Sequence, residues 1–178
     1  MFLFSTLFHV YESSSMKRSI LLRYVLIMGL LFLARIVSGQ QARWITSADC
    51  KNDTNTWICM QKVERLKAEP KKAVARIAAD SKYWLWINGK LVVREGGVKR
   101  GPNPDDTYYD NVDLAPYLSK GSNLFSVLVW YYGRQGFSYK MSGQAGLFID
   151  CSTDNGEQIV TDNTWKARLH PAHYNTST

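Results

Sequence analysis

The stretch that decides the fold reads Tyr83-Trp84-Leu85-Trp86-Ile87-Asn88-Gly89-Lys90-Leu91-Val92-Val93. Aromatic and branched residues, which favour strands, lie on both sides of the pair Asn88-Gly89. Asparagine and glycine tolerate the positive φ angles of a type I′ turn. The stretch therefore predicts a β-hairpin with a two-residue turn.

A two-residue turn also predicts the register of this hairpin. It pairs Ile87 with Lys90, and an unbroken ladder would continue to the pairs Trp86 with Leu91, Leu85 with Val92, Trp84 with Val93 and Tyr83 with Arg94. One face then carries Trp84, Trp86, Leu91 and Val93, and the other carries Tyr83, Leu85, Ile87 and Val92. In a sandwich only one face of a sheet meets the opposite sheet. We therefore expect the second apolar face to contact another domain, another chain or a ligand.

The rest of the chain predicts further strands and two long loops. Strands are expected over residues 56–63, 73–79, 124–132, 146–151 and 158–161, the last two joined by a turn at Thr153-Asp154-Asn155-Gly156. The run Leu124 to Tyr132 lacks strict alternation, which predicts a strand covered on both faces. Gly and Pro residues predict long loops over 94–107 and 133–146. The fold class is all-β, and we expect a jelly-roll sandwich.

Five parts in a fixed order carry a family resemblance. They are the turn Asn88-Gly89-Lys90, the step Tyr109-Asp110-Asn111-Val112-Asp113-Leu114, the turn Leu118-Ser119-Lys120-Gly121-Ser122-Asn123, the apolar strand that follows it, and Asp162-Asn163-Thr164-Trp165-Lys166. This order resembles the N-terminal, galactose-binding-like β-sandwich domain of bacterial α-L-rhamnosidases. The resemblance covers Trp44 to Trp165.

The resemblance implies a noncatalytic role. In that family, acidic residues on a separate helical (α/α)-barrel hydrolyse the sugar, and no counterpart of the barrel is present in this sequence. We therefore expect a domain that packs on such a catalytic barrel, from a truncated product of a secreted α-L-rhamnosidase-like glycoside hydrolase. The loop from Gly133 to Gly146 is expected to reach the substrate cleft. A free-standing carbohydrate-binding module is the alternative, and an enzyme acting alone is the third.

Residues 1–39 predict a helical signal peptide. Met16-Lys17-Arg18 forms a basic start, Val25 to Leu33 forms an apolar core, and Val37-Ser38-Gly39 offers small residues for cleavage before Gln40. Residues 1–15 then come from an upstream start codon chosen in error, and an uncleaved anchor is the alternative. The expected location is secreted or periplasmic. The sandwich is expected over 40–169, with a polar tail over 170–178.

Charge argues against nucleic acid as a partner. The net charge is +7, but Lys17, Arg18, Arg23 and Arg35 lie in the predicted signal peptide. The other basic residues are scattered apart from two adjacent pairs, so they form no dense basic stripe.

The three cysteines, Cys50, Cys59 and Cys151, allow at most one internal disulfide. Cys50 with Cys59 would close a short loop, and three reduced, buried thiols are the alternative. A metal site would need closer spacing or histidine partners, and the histidines after residue 39 are His170 and His173.

Familiar catalytic signatures such as Gly-x-Ser-x-Gly and His-Glu-x-x-His are absent from the sequence. Four aspartates lie close together: Asp105, Asp106, Asp110 and Asp113. Two of these carboxylates could in principle hydrolyse a glycoside, and the group could bind calcium through hard oxygen ligands. Aspartates among Gly, Pro and Asn more often accept backbone hydrogen bonds in turns, and we favour that interpretation.

Aromatic residues form the other candidate site, because sugars present apolar C–H faces that stack on rings. Arginine and other polar side chains beside them can bind hydroxyl groups. The candidate residues for a rhamnose-containing glycan are Trp84, Trp86, Arg134, Phe137, Tyr139 and Lys140. Filling of the core or of a domain interface is the alternative role for these rings.

Overall fold

The computed structural model describes residues 41–98, 108–136 and 139–171. It contains nine strands: β1 (Thr56–Leu66), β2 (Val74–Asp80), β3 (Lys82–Ile87), β4 (Lys90–Gly97), β5 (Asp110–Asp113), β6 (Gly121–Tyr131), β7 (Gly146–Ser152), β8 (Gln158–Val160) and β9 (Lys166–Leu169). One 3₁₀ turn covers Ala115–Tyr117. Within these ranges, no helix is long and apolar enough to cross a membrane.

The strands form two antiparallel sheets, so the predicted all-β class is confirmed. The five-stranded sheet has the order β4-β3-β6-β1-β9, and the four-stranded sheet has the order β5-β2-β7-β8. The hydrophobic core contains side chains from both sheets, such as Ile58, Leu85 and Phe125 from the first and Ile77 and Ile149 from the second. This arrangement is a sandwich of two sheets.

The predicted strands over 56–63, 73–79, 146–151 and 158–161 are confirmed with bounds shifted by at most three residues. The strand β9 forms the edge of the five-stranded sheet, where Met60 pairs with Ala167. Local hydrogen bonds explain the motif Asp162-Asn163-Thr164-Trp165-Lys166, which leads into β9. Asp162 Oδ1 accepts a hydrogen bond from the Thr164 N–H at 2.8 Å. The turn is followed by Trp165, whose indole N–H donates to the Val160 carbonyl at 3.0 Å.

The turn of the β3–β4 hairpin is confirmed, but most of its predicted register is wrong. Asn88 and Gly89 have φ angles of 53° and 78°, and Ile87 pairs with Lys90 as expected. Beyond Trp86 and Leu91 the register shifts, so that Leu85 lies opposite Val93 and Tyr83 lies opposite Gly96. The strand β4 therefore continues to Gly97, into the region predicted as a long loop.

Packing of Tyr83 explains why Gly96 lies opposite it. A Cβ atom on Gly96 would lie 2.4 Å from Tyr83 Cζ, so only glycine allows the ring to lie against the backbone of β4 at this point. Asp110 fixes the arrangement, because its Oδ2 atom accepts hydrogen bonds from the Tyr83 hydroxyl at 2.8 Å and from the Gly97 N–H at 2.9 Å. The register shifts twice, between Trp86 and Leu85 and again between Leu85 and Tyr83, so two extra residues of β4 are accommodated as bulges.

The strand β6 also differs from its prediction. Phe125, Val127 and Val129 are buried, whereas Leu124, Ser126 and Leu128 between them are exposed or partly exposed. The strand lies in the middle of its sheet, between β3 and β1. Its mostly apolar sequence reflects an outer face that also carries apolar side chains, and it does not reflect a second covering layer within the described chain.

The cysteines do not form the favoured pair. Cys50, Cys59 and Cys151 are all free, and only Cys151 is buried. The alternative of three buried thiols is therefore confirmed only for Cys151. Burial raises the pKa of the Cys151 thiol to about 11, so this side chain behaves as a small apolar residue.

Two asparagines join the hairpin turn to the start of β6. The Asn88 side-chain amide donates to Asn123 Oδ1 at 3.0 Å, and its Oδ1 accepts from the Leu124 N–H at 2.9 Å. Asn123 is fully buried, and its amide donates to the Ser119 carbonyl at 2.8 Å. The turn residues that carry the family resemblance thus bond to one another across the sheet.

We predict that Asn123→Ala destabilises the domain by about 2 kcal/mol, because it leaves buried polar groups around it without partners. Asn111→Ala, at an exposed position of β5, should change the free energy of unfolding by less than about 0.5 kcal/mol. Urea unfolding of the two variants measures the difference. Equal stability of both variants would contradict this role for Asn123.

Candidate functional site

The outer face of the five-stranded sheet carries three stacked tryptophans. Trp57 of β1 pairs with Trp130 of β6, and their ring centroids are 4.7 Å apart with nearly parallel planes. The Trp57 ring also stacks on Trp84 of β3, at 5.7 Å between centroids. All three side chains are partly exposed. Strand alternation brings them to one face, because their neighbours Ile58, Val129 and Leu85 point into the core.

Asn55 orients two of these rings. Its Oδ1 atom accepts hydrogen bonds from the indole N–H groups of Trp57 at 3.1 Å and of Trp130 at 2.9 Å. Asn55 has a φ angle of 56°, a left-handed conformation that asparagine adopts more readily than most residues. One carbonyl oxygen therefore fixes the polar edges of both rings, and their flat faces meet each other.

The ring contacts continue toward the loop that follows β6. Trp130 meets Tyr132 edge to face at 4.7 Å, and Tyr132 meets Tyr139 edge to face at 5.1 Å. A bridge between Gly136 and Tyr139 closes this part of the loop. Aromatic contacts thus connect the outer face of the sheet to the described residues of the segment after β6, 133–136 and 139–145.

A buried carboxylate holds that loop in place. Asp80, at the end of β2, is 3% exposed, and its Oδ1 atom accepts a hydrogen bond from the Tyr139 hydroxyl. Its Oδ2 atom accepts from the Ser142 N–H at 2.6 Å. The Ser81 hydroxyl lies 3.0 Å from Asp80 Oδ1 and 2.5 Å from the Tyr139 hydroxyl. Because each carboxylate oxygen has a donor, the buried charge is accommodated.

The pKa of the Tyr139 hydroxyl is consistent with its role as a hydrogen-bond donor to Asp80. Burial raises the pKa of the Tyr139 hydroxyl well above its ordinary value, and the hydrogen bond to Asp80 raises it further. The hydroxyl therefore stays protonated over the whole physiological range and remains a donor to Asp80. Burial and the charge of Asp110 raise the pKa of Tyr83 in the same way.

The structure separates the predicted carbohydrate-binding residues into different environments. Trp84 and Trp86 are partly exposed on the outer face of β3, and Arg134 is exposed in the loop. Tyr139 is buried, with its hydroxyl bonded to Asp80. Lys140, beside it, is partly buried. Phe137 lies outside the described residues.

The aspartate group is described in part. Asp105 and Asp106 lie outside the described residues. Asp110 accepts the hydrogen bonds from Tyr83 and Gly97, and Asp113 Oδ1 accepts from the Ala115 N–H at 3.1 Å. Both described carboxylates thus fix backbone and core groups. No cluster of three or more metal-ligating side chains occurs within 41–98, 108–136 and 139–171.

Sequence reasoning missed Trp57, Asn55 and Asp80. Trp57 lies 27 positions before Trp84 in the chain, and their rings come together because β1 and β3 both pair with β6. Asn55 stands in a polar segment that reads as an ordinary turn. Asp80 ends a strand beside Ser81, which reads as a strand terminator, and its burial depends on the distant Tyr139 and Ser142.

We predict that Tyr139→Phe lowers the free energy of unfolding by about 1 to 3 kcal/mol, because it removes one donor from a buried carboxylate. Tyr108→Phe is the matched control, since Tyr108 is 53% exposed. Thermal or urea unfolding compares the two variants. If Tyr139→Phe is no less stable than Tyr108→Phe, Asp80 does not hold the loop through this hydroxyl.

We predict that Asn55→Ala destabilises the domain by about 1 to 3 kcal/mol and changes the circular dichroism of the tryptophans. It removes the shared acceptor of two indole groups and disfavours the left-handed backbone. Asn55→Asp keeps an acceptor at the same place, so it should retain the wild-type spectrum. A wild-type spectrum for Asn55→Ala would show that the stack does not need this acceptor.

Comparison with known proteins adds a second kind of information. No family model matches the sequence, and no curated protein matches it. Solved structures do match. The structure of the GH78 family rhamnosidase of Bacillus sp. GL1 superposes with a TM-score of 0.64 at 30% identity, over 72% of this chain and 13% of that chain.

Two further α-L-rhamnosidases share the fold. The enzyme from Aspergillus terreus matches with a TM-score of 0.59 at 22% identity, over 74% of this chain and 17% of that chain. The enzyme from Dictyoglumus thermophilum matches with a TM-score of 0.59 at 20% identity, over 77% of this chain and 17% of that chain. The chain thus spans less than a fifth of each of these matched proteins. The resemblance seen in the sequence is confirmed, and the chain fits one domain of a GH78 α-L-rhamnosidase.

Proposed function

We propose that this chain is a noncatalytic β-sandwich domain of an α-L-rhamnosidase-like glycoside hydrolase, and that hydrolysis is performed by a separate catalytic domain. The observation that carries the proposal is the match to the Bacillus rhamnosidase, which covers 72% of this chain but only 13% of that enzyme. A domain of this size leaves the greater part of such an enzyme to do the chemistry.

The side chains of the described residues support this role. A retaining or inverting glycosidase needs two carboxyl groups free to act on the glycosidic bond. Asp80 is buried and bonded to Tyr139 and Ser142. Asp110 is bonded to Tyr83 and Gly97. Each of these carboxylates has a structural task.

Three finer features belong to the same proposal. The sandwich is of the galactose-binding-like, jelly-roll class, in line with the order of motifs that carries the family resemblance. Residues 1–39 form a signal peptide, in line with their basic start and apolar core. The protein is secreted or periplasmic, and it reaches its site of action as part of a longer enzyme or as a truncated product of one.

We predict that the purified chain does not hydrolyse an aryl α-L-rhamnoside. The expected release of chromophore equals that of a heat-denatured sample, because the catalytic carboxylates lie on another domain. The Bacillus sp. GL1 rhamnosidase serves as the positive control. Turnover by the folded chain that is lost on heating would overturn the noncatalytic assignment.

A free-standing carbohydrate-binding module is the second candidate function. The observation in its favour is the partial exposure of Trp84 and Trp86 on one sheet face. If this function is correct, the chain binds a rhamnose-containing glycan, and Trp84→Ala weakens that binding at least tenfold while the fold is kept. Isothermal titration calorimetry measures the affinity, and an unchanged affinity in Trp84→Ala would rule out a site on this face.

A further inference from the structure

The outer face of the five-stranded sheet is largely apolar, and the polar pair Gln61 and Ser126, bonded to each other at 3.2 Å, lies within it. Besides the stacked tryptophans it exposes three aliphatic side chains: Val63 at 60%, Leu91 at 47% and Leu124 at 41%. Val63 and Leu124 are direct partners across β1 and β6, and Leu91 lies opposite Trp86 across β3 and β4. Single exposed apolar residues are common, but a patch that crosses four strands indicates an interaction surface.

Cations border this patch on one side. Arg168 of β9 lies opposite Cys59, and Lys166 lies opposite Gln61, so both share the outward phase of β1. The charge of Arg168 acts on the Cys59 thiol, where it opposes the larger effect of burial that raises the pKa. Arg65 has the same phase on β1. Among the ion pairs of the described chain, none includes Arg65, Lys166 or Arg168.

The other side of the patch carries one ion pair and two further cations. Lys82 of β3 pairs with Glu95 of β4, with 3.2 Å between Nζ and Oε2. Lys90 and Arg94 of β4 are exposed on that side as well, and no ion pair of the described chain includes them. A complementary surface would be apolar at its centre and would carry carboxylates opposite β9.

The geometry of the rings favours a protein partner over a glycan. A sugar stacks on the open face of an aromatic ring, but the Trp57 ring already stacks on the rings of Trp84 and Trp130. The aliphatic side chains at the other end of the patch offer no hydrogen bonds to hydroxyl groups. A broad, flat, apolar face bordered by charge has the composition of an interface between proteins or domains.

We propose that this outer face docks against another domain of the parent enzyme, through a surface that is apolar at its centre and acidic where it meets Arg65, Lys166 and Arg168. The inference rests on the proposed function, because it takes the partner from the parent glycoside hydrolase. The matched rhamnosidases contain more than four fifths of their chain outside this domain, which provides such a partner.

Superposition on the crystal structure of the Bacillus sp. GL1 rhamnosidase tests the surface directly. The measured quantity is the area that the rest of that enzyme buries at the positions matching Val63, Leu124 and Trp130. We expect these positions to be covered, with acidic side chains near the position of Arg168. If solvent covers them, or if the enzyme covers only the outer face of the four-stranded sheet, the proposal is overturned.

Two solution experiments on the 178-residue chain test whether a second copy of the chain or a glycan binds the patch instead. Leu124→Lys alters the patch, and Val74→Lys is the matched control, since Val74 is 56% exposed on the other sheet. Sedimentation should show the wild-type chain as a monomer. A dimer that Leu124→Lys dissociates and Val74→Lys does not would identify a second copy as the occupant and overturn the proposal.

The second experiment titrates each chain with a soluble rhamnose-containing polysaccharide. If the patch docks a domain, wild type, Leu124→Lys and Val74→Lys should bind the polysaccharide equally. A tenfold loss of binding in Leu124→Lys alone would make the patch a sugar site and overturn the proposal. Turnover of an aryl rhamnoside would instead refute the noncatalytic function, so the two failures are distinguishable.

Discussion

The strand β6 is the element on which the rest of the structure depends. It pairs with β1 along its whole length and with β3 over six positions, so its backbone has partners on both edges. Its inward side chains, Phe125, Val127, Val129 and Tyr131, lie in the core shared with the four-stranded sheet. Because side chains alternate strictly along a strand, this inward row also forces Leu124, Leu128 and Trp130 to the outer face. The core and the outer patch are two consequences of one register.

The elements with local signals were the ones that sequence could predict. The pair Asn88-Gly89 requires positive φ angles at both positions, and that requirement predicts a type I′ turn without any knowledge of the fold. The turn between β7 and β8 was likewise predicted from its own residues. The alternating burial of Tyr83, Leu85 and Ile87 also follows from the local period of a strand. Local chemistry was therefore enough to predict most of the strands, but not β5 or β9.

Features that depend on distant contacts were beyond prediction. The register of β3 and β4 changes because the Tyr83 ring lies against Gly96 and bonds to Asp110, which is 27 positions away. The tryptophan stack needs β1 and β6 to be neighbours, and the loop after β6 needs the buried carboxylate of Asp80. None of these contacts leaves a periodic signal in the sequence. Of the residues on the outer face and its adjoining loop, sequence reasoning named Trp84 and Trp86, which share a strand, and did not name Trp57 or Asp80.

The outer face connects the fold to the proposed role. Asn55 and the stacking of the rings hold the tryptophans in one arrangement before any partner arrives. A preformed apolar surface loses little side-chain entropy on docking. The loop over 133–145 is attached to the same region through Tyr132 and Tyr139. A domain docked on this face would therefore contact a rigid sheet and a loop fixed by Asp80.

Hydrogen exchange of the backbone amides, followed by NMR, tests the central claim about β6 most directly. The amides of Phe125, Val127 and Val129 should be among the slowest to exchange, because they lie in the middle strand of a sheet and can open only with the whole domain. Amides of the edge strand β9 should exchange faster. If the β6 amides exchange as fast as those of β9, β6 is not the central strand and this account of both the core and the outer face is wrong.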